Sequence, residues 1–264
     1  MEELARLKEQ GIAEEIDLEE KYDNVKTERA YTAIRKYGWL LSILIGVGGQ
    51  FYPYLGLLVV PIMLSLIVMS AFKGLYWCGN FCPHGSYYDV PLLKISPNEN
   101  IPDLLKTRVA GILVFAFFII NFSSNIFSAL QVEQGTRLAQ VGGVMANVYL
   151  VVLAAATLLG IAVNSRAWCW ICPMRTLQLA VYQLGRKLNL TAGSDQTVII
   201  TRAEDCRECA LCSQVCPIEL KPYPILRYKQ ENNYLEEPNC MRCRVCIENC
   251  PVNILKLEKP GKSD

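Results

Sequence analysis

The chain has 264 residues, of which 52% are hydrophobic, and its mean hydropathy is +0.22. This composition is more apolar than that of an ordinary soluble domain and favours a membrane protein. The formal net charge is only +1, and basic and acidic residues are interspersed. A nucleic-acid-binding protein needs a basic surface, so we expect no nucleic-acid partner.

The first 35 residues form a polar segment of mixed charge. It begins MEELARLKEQ and lacks the apolar core of a signal peptide. Twelve cysteines in such a chain indicate metal ligation rather than a secreted disulfide scaffold. We predict that residues 1–35 form a cytoplasmic segment, either a solvated surface helix or a docking strap for a partner subunit.

Four apolar stretches follow, and we predict that each is a transmembrane helix. Crossing a hydrocarbon core takes about 20 residues; the first stretch is shorter than this, and Pro61 should kink the second. The alternative, core helices of a soluble protein, is disfavoured because the stretches lack a polar face. The stretches are residues 37–51, 55–72, 109–130 and 144–163.

Basic residues lie beside alternate ends of these stretches, and the two remaining connections hold only Arg137. Positive charge near helix ends favours the cytoplasmic side. We therefore predict a multi-pass protein of the inner (cytoplasmic) membrane, with both termini cytoplasmic and contacts with membrane lipid. The basic residues used are Lys26, Arg29, Arg35, Lys36, Lys73, Lys94, Lys106, Arg108, Arg166, Arg175, Arg186 and Lys187.

A cysteine-proline motif follows the second apolar stretch, and a related motif follows the fourth. The first, YWCGNFCPHG, contains Cys78 and Cys82; the second, RAWCWICPMR, contains Cys169 and Cys172. A helix pair followed by a motif, occurring twice, indicates an internal duplication. We predict that the four cysteines share one centre, either a [4Fe-4S] or [2Fe-2S] cluster or a single metal ion. The alternatives are a redox-active thiol pair at Cys169 and Cys172, or cysteines that only pack at helix ends.

Polar residues directly after the first motif suit a quinone head group, because quinone chemistry moves protons together with electrons. His84 is the only histidine of the chain, so a bis-histidine site is excluded and we expect no b-type haem. The alternatives are an ordinary loop role for His84 and a membrane-anchoring role for Arg175. The candidate quinone residues are His84, Tyr87, Tyr88, Asp89 and Arg175.

The last part of the chain carries two runs with the spacing of bacterial ferredoxins, CRECALCSQVCP and CMRCRVCIENCP. In such runs three cysteines hold one cluster and the fourth reaches the other cluster. We therefore predict two [4Fe-4S] clusters with crossed ligation; a pair of zinc sites is the alternative. The first set is Cys206, Cys209, Cys212 and Cys250, and the second is Cys216, Cys240, Cys243 and Cys246.

Together these features resemble the NapH-type family of membrane ferredoxins, over residues 35–257. The CX3CP spacing of the first motif matches that family, whereas the second motif is one residue shorter. The resemblance implies quinol oxidation, with menaquinone or ubiquinone as substrate, and electron transfer to other subunits of a membrane redox complex or to a soluble oxidoreductase. The sequence has no catalytic constellation of its own, so we expect an electron-transfer subunit of a quinol dehydrogenase.

The expected fold is a mainly α membrane protein: a four-transmembrane-helix bundle with a C-terminal two-cluster ferredoxin-like (α+β) domain. The expected domains are 1–35, a membrane domain at 36–187 and a ferredoxin domain at 188–264. The related NosR and CcoG (FixG) proteins carry additional domains for which this sequence has no room. Two alternatives to quinone-linked electron transfer are a CcoG-like copper reductase or oxidase-assembly factor, and a structural membrane anchor of a redox complex.

Overall fold

The computed structural model describes residues 24–131, 136–222, 226, 234–235 and 237–259. Residues 1–23, most of the predicted N-terminal segment, lie outside this part of the chain. The first half consists of helical pieces of very different lengths. They are α1 (Ala33–Tyr37), α2 (Trp39–Ile43), a π-helix (Leu44–Gly48), α3 (Gly49–Phe51), a 3₁₀-helix (Pro53–Leu58), α4 (Val59–Lys73), α5 (Tyr76–Asn80), α6 (Pro83–Asp89), α7 (Pro91–Ile95) and α8 (Asp103–Lys106).

The second half starts with the two longest helices and ends in the ferredoxin-like region, where two strands pair. Its elements are α9 (Arg108–Leu130), α10 (Arg137–Ala162), α11 (Trp168–Ile171), α12 (Pro173–Lys187), β1 (Thr197–Ile200), a 3₁₀-helix (Ala203–Asp205), α13 (Leu211–Gln214), α14 (Val245–Glu248) and β2 (Leu255–Glu258). Strands β1 and β2 are antiparallel, with Thr197 opposite Glu258 and Ile200 opposite Leu255.

Within the described residues, three helices are long and apolar enough to cross a membrane: Pro53–Lys73, Arg108–Leu130 and Arg137–Ala162. Apolar side chains on them are widely exposed, such as Phe117 and Ile120 of α9 at 70%. An apolar face of this kind is what lipid would cover.

The prediction of four membrane helices is therefore wrong in number. The first apolar stretch forms α2, the π-helix and α3, which follow one another without a gap and with right-handed helical φ and ψ at each junction, so it is a short helical run with a π-helical middle. Its length is below that of a span, and Gly46, Gly48 and Gly49 lower its helix propensity. Pro53 then opens a 3₁₀-helix, and Pro61 lies in the first turn of α4, where a missing N–H is tolerated.

The first apolar stretch packs along α10 through small residues. A Cβ atom on Gly49 would overlap the side chain of Ala146, and one on Gly46 would lie 3.5 Å from the Cα atom of Leu150. Such close backbone approach is typical of glycine contacts between membrane helices. The stretch therefore contributes to the helix bundle through contacts, although it is not one of the three long apolar helices.

The ferredoxin-like region is docked against the end of the bundle that carries the cysteine-proline motifs. A buried apolar cluster contains residues from both parts, among them Trp170, Ile218 and Met241. The indole Nε1 of Trp170 donates to the Ile218 carbonyl at 3.2 Å. The extended segment before α1 crosses the same junction, where the Val25 amide donates to the Gln214 carbonyl at 3.0 Å.

Candidate iron–sulfur site

The two ferredoxin runs have the same backbone conformation, position by position. In each run, one residue before the second cysteine and one after it have positive φ: Glu208 and Ala210 in the first, Arg242 and Arg244 in the second. A left-handed residue turns successive N–H groups towards one point and creates a concave, anion-accepting loop. A short helix, α13 or α14, then carries the last cysteine away from the loop.

Each of the two predicted cysteine sets lines one cavity. Cys206, Cys209, Cys212 and Cys250 line the first cavity, with about 450 Å³ of empty volume, part of it open to solvent. Cysteines of both runs therefore meet there, as crossed ligation requires.

The second cavity has about 390 Å³ of empty volume and is lined by cysteines of the second predicted set: Cys216, Cys240, Cys243 and Cys246. Four cysteines around one apolar cavity are the donor set of a [4Fe-4S] cluster. The residues present therefore fit that group, while the assignment of each ligand stays a prediction.

Burial and mutual repulsion act on these thiols. Burial raises the pKa of Cys240 to about 11, with neighbouring Arg242 opposing the rise. Burial, together with Cys209, Cys206 and Cys250, raises the pKa of Cys212 to about 12. Iron is bound by thiolates, so ligation of these cysteines has to release protons.

The two cysteine-proline motifs also share a local structure, as the predicted duplication implies. Cys82 is the N-cap residue of α6, with φ −59° and ψ 120°. Cys172 is the N-cap residue of α12, with φ −58° and ψ 125°. In each motif proline occupies the first helical turn, where its fixed φ is favourable. The first cysteine of each motif lies in a short preceding helix, α5 or α11.

The structure brings Cys78, Cys82, Cys169 and Cys172 together, and we call them the membrane-face cysteines. Burial raises the pKa of the Cys78 thiol well above its ordinary value, and the other three thiols are near enough to raise it further. Burial raises the pKa of Cys172 to about 12, with Cys169 and Cys82 contributing. Among the described residues, no group of three or more Cys, His, Asp or Glu is placed to hold a single metal ion.

Three of the four sulfurs of this set accept a hydrogen bond from an N–H group. Gln178 Nε2 donates to Cys78 Sγ at 2.9 Å and the Gly85 amide to Cys82 Sγ at 3.3 Å. Arg166 Nη1 lies 3.5 Å from Cys169 Sγ. Cys172 makes no side-chain capping bond to α12, but the nearby backbone N–H groups of Met174 and Arg175 oppose the rise of its pKa. Cluster-bound thiolates are stabilised by such donors, so this donor set fits an iron–sulfur centre.

The first cysteine-proline motif is in direct contact with the second ferredoxin run. Gly79, which follows Cys78, lies so close to Met241 that a Cβ atom would overlap the Met241 carbonyl, and it would come within 3.2 Å of Cys243 Cβ. Asn80 Nδ2 is 3.3 Å from the Arg242 carbonyl oxygen. The membrane-face cysteines and the second ferredoxin set are therefore neighbours.

The candidate quinone residues separate into two groups. Tyr88 is buried and His84 half-buried, and the His84 ring lies 4.0 Å from that of Tyr149 and 6.2 Å from that of Tyr88. Within the described part of the chain, His84 Nε2 and the Tyr88 hydroxyl have no hydrogen-bond partner. Burial lowers the pKa of His84 to about 4, so its imidazole is neutral at pH 7.

The other three candidates are already engaged. The Tyr87 hydroxyl is 3.1 Å from Thr157 Oγ1, and the Asp89 carboxylate is paired with arginine side chains. Arg175 stacks on Trp170 at 4.2 Å and donates to Asn239 Oδ1 at 2.7 Å. Arg175 therefore links the second cysteine-proline motif to the ferredoxin-like region.

Several residues at this junction were not identified from the sequence. Arg29, Arg35 and Arg166 entered only as basic residues beside apolar stretches, yet all three are almost fully buried. Gln178, which donates to Cys78, lies on α12 between Leu177 and Leu179. Only the position of Arg166 could have been suspected from the sequence. Arg166 lies three residues before Cys169, and Asp89 lies at the end of the helix that starts after Cys82.

Comparison with known families gives matches to two family models, one of which matches twice. A family model described as "4Fe-4S binding domain" matches twice, at residues 55–102 and 146–191, and each match contains one cysteine-proline motif. A model described as "4Fe-4S dicluster domain" matches residues 198–251, which contain both ferredoxin runs. The comparison with curated proteins finds no match, and neither does the comparison with solved structures.

The matched domains and the three apolar helices agree on one general assignment. The dicluster match covers both ferredoxin runs, and the two further matches cover the membrane-face cysteines. The long apolar helices add membrane association. The chain is an iron–sulfur electron-transfer protein with 4Fe-4S domains, and its features fit a membrane ferredoxin.

Proposed function

We propose that the chain is a membrane-anchored electron-transfer subunit of the NapH type, passing electrons between the quinone pool and a partner oxidoreductase. The observation that carries this proposal is the contact of Gly79 with Met241 and Cys243. It joins a cysteine set at the end of the apolar helices to the ferredoxin sets. Iron–sulfur clusters, when bound, supply one-electron transfer.

The protein positions three cysteine sets in sequence. The membrane-face cysteines come first, and the second ferredoxin set, which includes Cys243, adjoins them. The first ferredoxin set lies beyond, and its Cys209 is exposed. Because Cys209 is exposed, the first ferredoxin set would be the one that contacts a soluble oxidoreductase or another subunit of a membrane complex.

A quinone head group would bind beside His84 and Tyr88. A quinol gives up two electrons and two protons, so its site needs hydrogen-bonding groups beside an electron acceptor. His84 Nε2 and the Tyr88 hydroxyl are uncommitted within the described residues, and His84 lies two residues after Cys82. Tyr149 of α10 and Ser42 of α2 lie near each other. Both belong to the apolar helices, and menaquinone or ubiquinone would enter from among these helices.

Both described ends of the chain lie at one face in this proposal, the cytoplasmic face of the inner membrane. The support is the bond from the Val25 amide to the Gln214 carbonyl, which ties the segment before α1 to the ferredoxin-like region. The excess of Lys and Arg around the cysteine-proline motifs favours the cytoplasmic side for that face.

The test is anaerobic reduction of the purified, cluster-loaded chain by a short-chain menaquinol or ubiquinol, followed by EPR. We expect quinol to reduce the clusters, Tyr88→Phe to slow that reduction, and Tyr87→Phe, whose hydroxyl is bonded to Thr157, to leave it unchanged. Clusters that dithionite reduces but neither quinol reduces would refute the quinone role. Copper binding that is lost in Cys78→Ser would then support the copper-reductase alternative.

A further inference from the structure

Three arginine side chains are buried where the membrane-face cysteines meet the second ferredoxin run. Arg29 and Arg166 are 1% exposed, and Arg35 is 3% exposed. Arg166 donates from Nε and Nη2 to the two carboxylate oxygens of Asp89, at 2.7 and 2.6 Å. Arg35 forms an ion pair with the same carboxylate. We call Arg29, Arg35, Arg166 and Asp89 the arginine cluster.

The arginine cluster has more positive than negative charge. Three guanidinium groups and one carboxylate give it a net charge of +2. Glu219 also lies near Arg29, but it forms an ion pair with Lys106 at 2.9 Å, so that pair adds no net charge. Burying an uncompensated charge costs several kcal/mol. A compensating anion close to the cluster would remove that cost.

At one end, the arginine cluster contacts the membrane-face cysteines. Arg166 Nη1 lies 3.5 Å from Cys169 Sγ, and Arg35 Nη1 donates to the Cys78 carbonyl at 3.2 Å. Gly85 makes room for this arrangement, because a Cβ atom there would come within 3.3 Å of both terminal nitrogens of Arg166. The guanidinium groups therefore lie directly against the predicted ligands.

At the other end, Arg29 approaches the second ferredoxin set. Its side chain is held by Ser165 Oγ at 3.4 Å and by Asn98 Oδ1 at 3.2 Å, both neutral acceptors. The thiols of Cys216 and Cys243 lie close enough to Arg29 to raise its pKa against the lowering effect of burial. Arg29 thus has neutral hydrogen-bond partners, and because Glu219 is paired with Lys106, these sulfurs would supply further negative charge beside it when they are ligated as thiolates.

We propose that the arginine cluster is the counter-charge of anionic, thiolate-ligated centres on both sides of it, and that it raises their reduction potentials. The inference deepens the proposed function, because it relies on a centre at the membrane-face cysteines. Reduction adds negative charge to a centre, and a buried positive charge stabilises the reduced form. Charge and hydrogen bonds at the sulfurs are among the factors that set these potentials. Asp89 holds Arg35 and Arg166 in place and offsets part of their charge.

The test is an EPR-monitored redox titration of the full chain, purified anaerobically with its clusters. Arg29→Gln removes a positive charge and should shift the potential of the second ferredoxin centre downward, whereas Arg29→Lys keeps the charge and should restore it. Asp89→Asn removes a negative charge and should shift the potential of the membrane-face centre upward. Arg186→Gln, which changes an exposed arginine of α12, should shift neither.

An electrostatic role predicts potential shifts of opposite sign in Arg29→Gln and Asp89→Asn. A purely scaffolding role would not give the two shifts opposite signs. Unchanged potentials in Arg29→Gln, or a downward shift in Asp89→Asn, would overturn the proposal. If Asp89→Asn does not fold, the comparison of Arg29→Gln with Arg29→Lys decides. If the native chain lacks a membrane-face centre, that part of the proposed function is wrong. The effect of Arg29 on the potential of the second ferredoxin centre is still measured in that case.

Discussion

At the scale of single residues, the membrane-face cysteines are distinguished by what surrounds their sulfurs. Buried cysteines that only pack between helices need apolar neighbours, whereas three of these four sulfurs accept a hydrogen bond from a side-chain or backbone N–H group. Donors of this kind stabilise a thiolate and suit ligation of a metal centre. The surroundings therefore favour a bound centre over simple packing.

The side chain of Gln178 provides a direct test of this role. Gln178→Leu keeps the approximate volume but removes the 2.9 Å bond to Cys78 Sγ. Because that bond would stabilise the reduced form of the proposed membrane-face centre, its loss should lower the reduction potential of that centre. Gln183→Leu, an exposed position on the same helix, is the control. An unchanged potential in Gln178→Leu would show that this bond does not act on a redox centre.

The raised thiol pKa values predict how the cluster-free chain responds to pH. An unperturbed cysteine has a pKa of about 8.5, whereas burial raises that of Cys172 to about 12 and that of Cys240 to about 11. A raised folded-state pKa contributes stability that is present below the unfolded pKa and is lost as pH rises towards the folded value.

We therefore expect the cluster-free chain to lose stability as pH rises from about 8.5 towards 11. The loaded chain should lose less, because its ligating sulfurs are already deprotonated. Thermal unfolding of both forms across this pH range measures the difference. Parallel loss of stability in the two forms would contradict the assignment of buried, protonated thiols to the cluster-free state.

At the scale of elements, glycines determine which parts can approach one another. Gly142 on α10 faces the turn that contains Pro53, and a Cβ atom there would overlap the Pro53 carbonyl, whereas at Gly143 the nearest atom is 3.8 Å away. Position along an apolar stretch does not reveal this difference. The sequence therefore predicts that small residues mediate helix contacts, but only the packing identifies which ones.

Substitution of these adjacent glycines should give opposite results. Gly142→Ala should destabilise the bundle by about 1–3 kcal/mol, the usual cost of overpacking. Gly143→Ala should be neutral or slightly stabilising, because alanine is the better helix former by about 1 kcal/mol. Thermal unfolding in detergent gives the comparison, and equal stability of the two variants would mean that the close contact at Gly142 is absent.

Docking of the ferredoxin-like region depends on a second close approach. Gly79→Ala should force α5 away from Met241, weaken the junction and slow electron transfer between the membrane-face centre and the second ferredoxin centre. Gly193→Ala, which meets no atom within 4 Å, serves as the control. Rapid-freeze EPR after quinol addition measures the transfer, and an unchanged rate in Gly79→Ala would argue against this contact as the route.

At the scale of the whole molecule, the sequence predicted the chemistry better than the membrane architecture. Cysteine spacing is set by the geometry of a bound group, so the dicluster domain and the duplicated cysteine-proline motif could be recognised from short stretches of sequence. The count of membrane helices failed because apolar composition alone does not reveal that the helical run over residues 39–51 is short and has a π-helical middle. The burial of Arg29, Arg35 and Arg166 depends on contacts between distant segments, which local charge patterns cannot predict.

The central claim is that the membrane-face cysteines hold a third centre beside the two ferredoxin centres. The most direct test is anaerobic iron and sulfide quantification with EPR on the purified native chain and on a variant with Cys78, Cys82, Cys169 and Cys172 changed to Ser. We predict more than about eight irons in the native chain, about twelve for a third [4Fe-4S] cluster, and about eight in the variant. About eight irons in both would contradict the claim and favour thiol chemistry or packing for these cysteines.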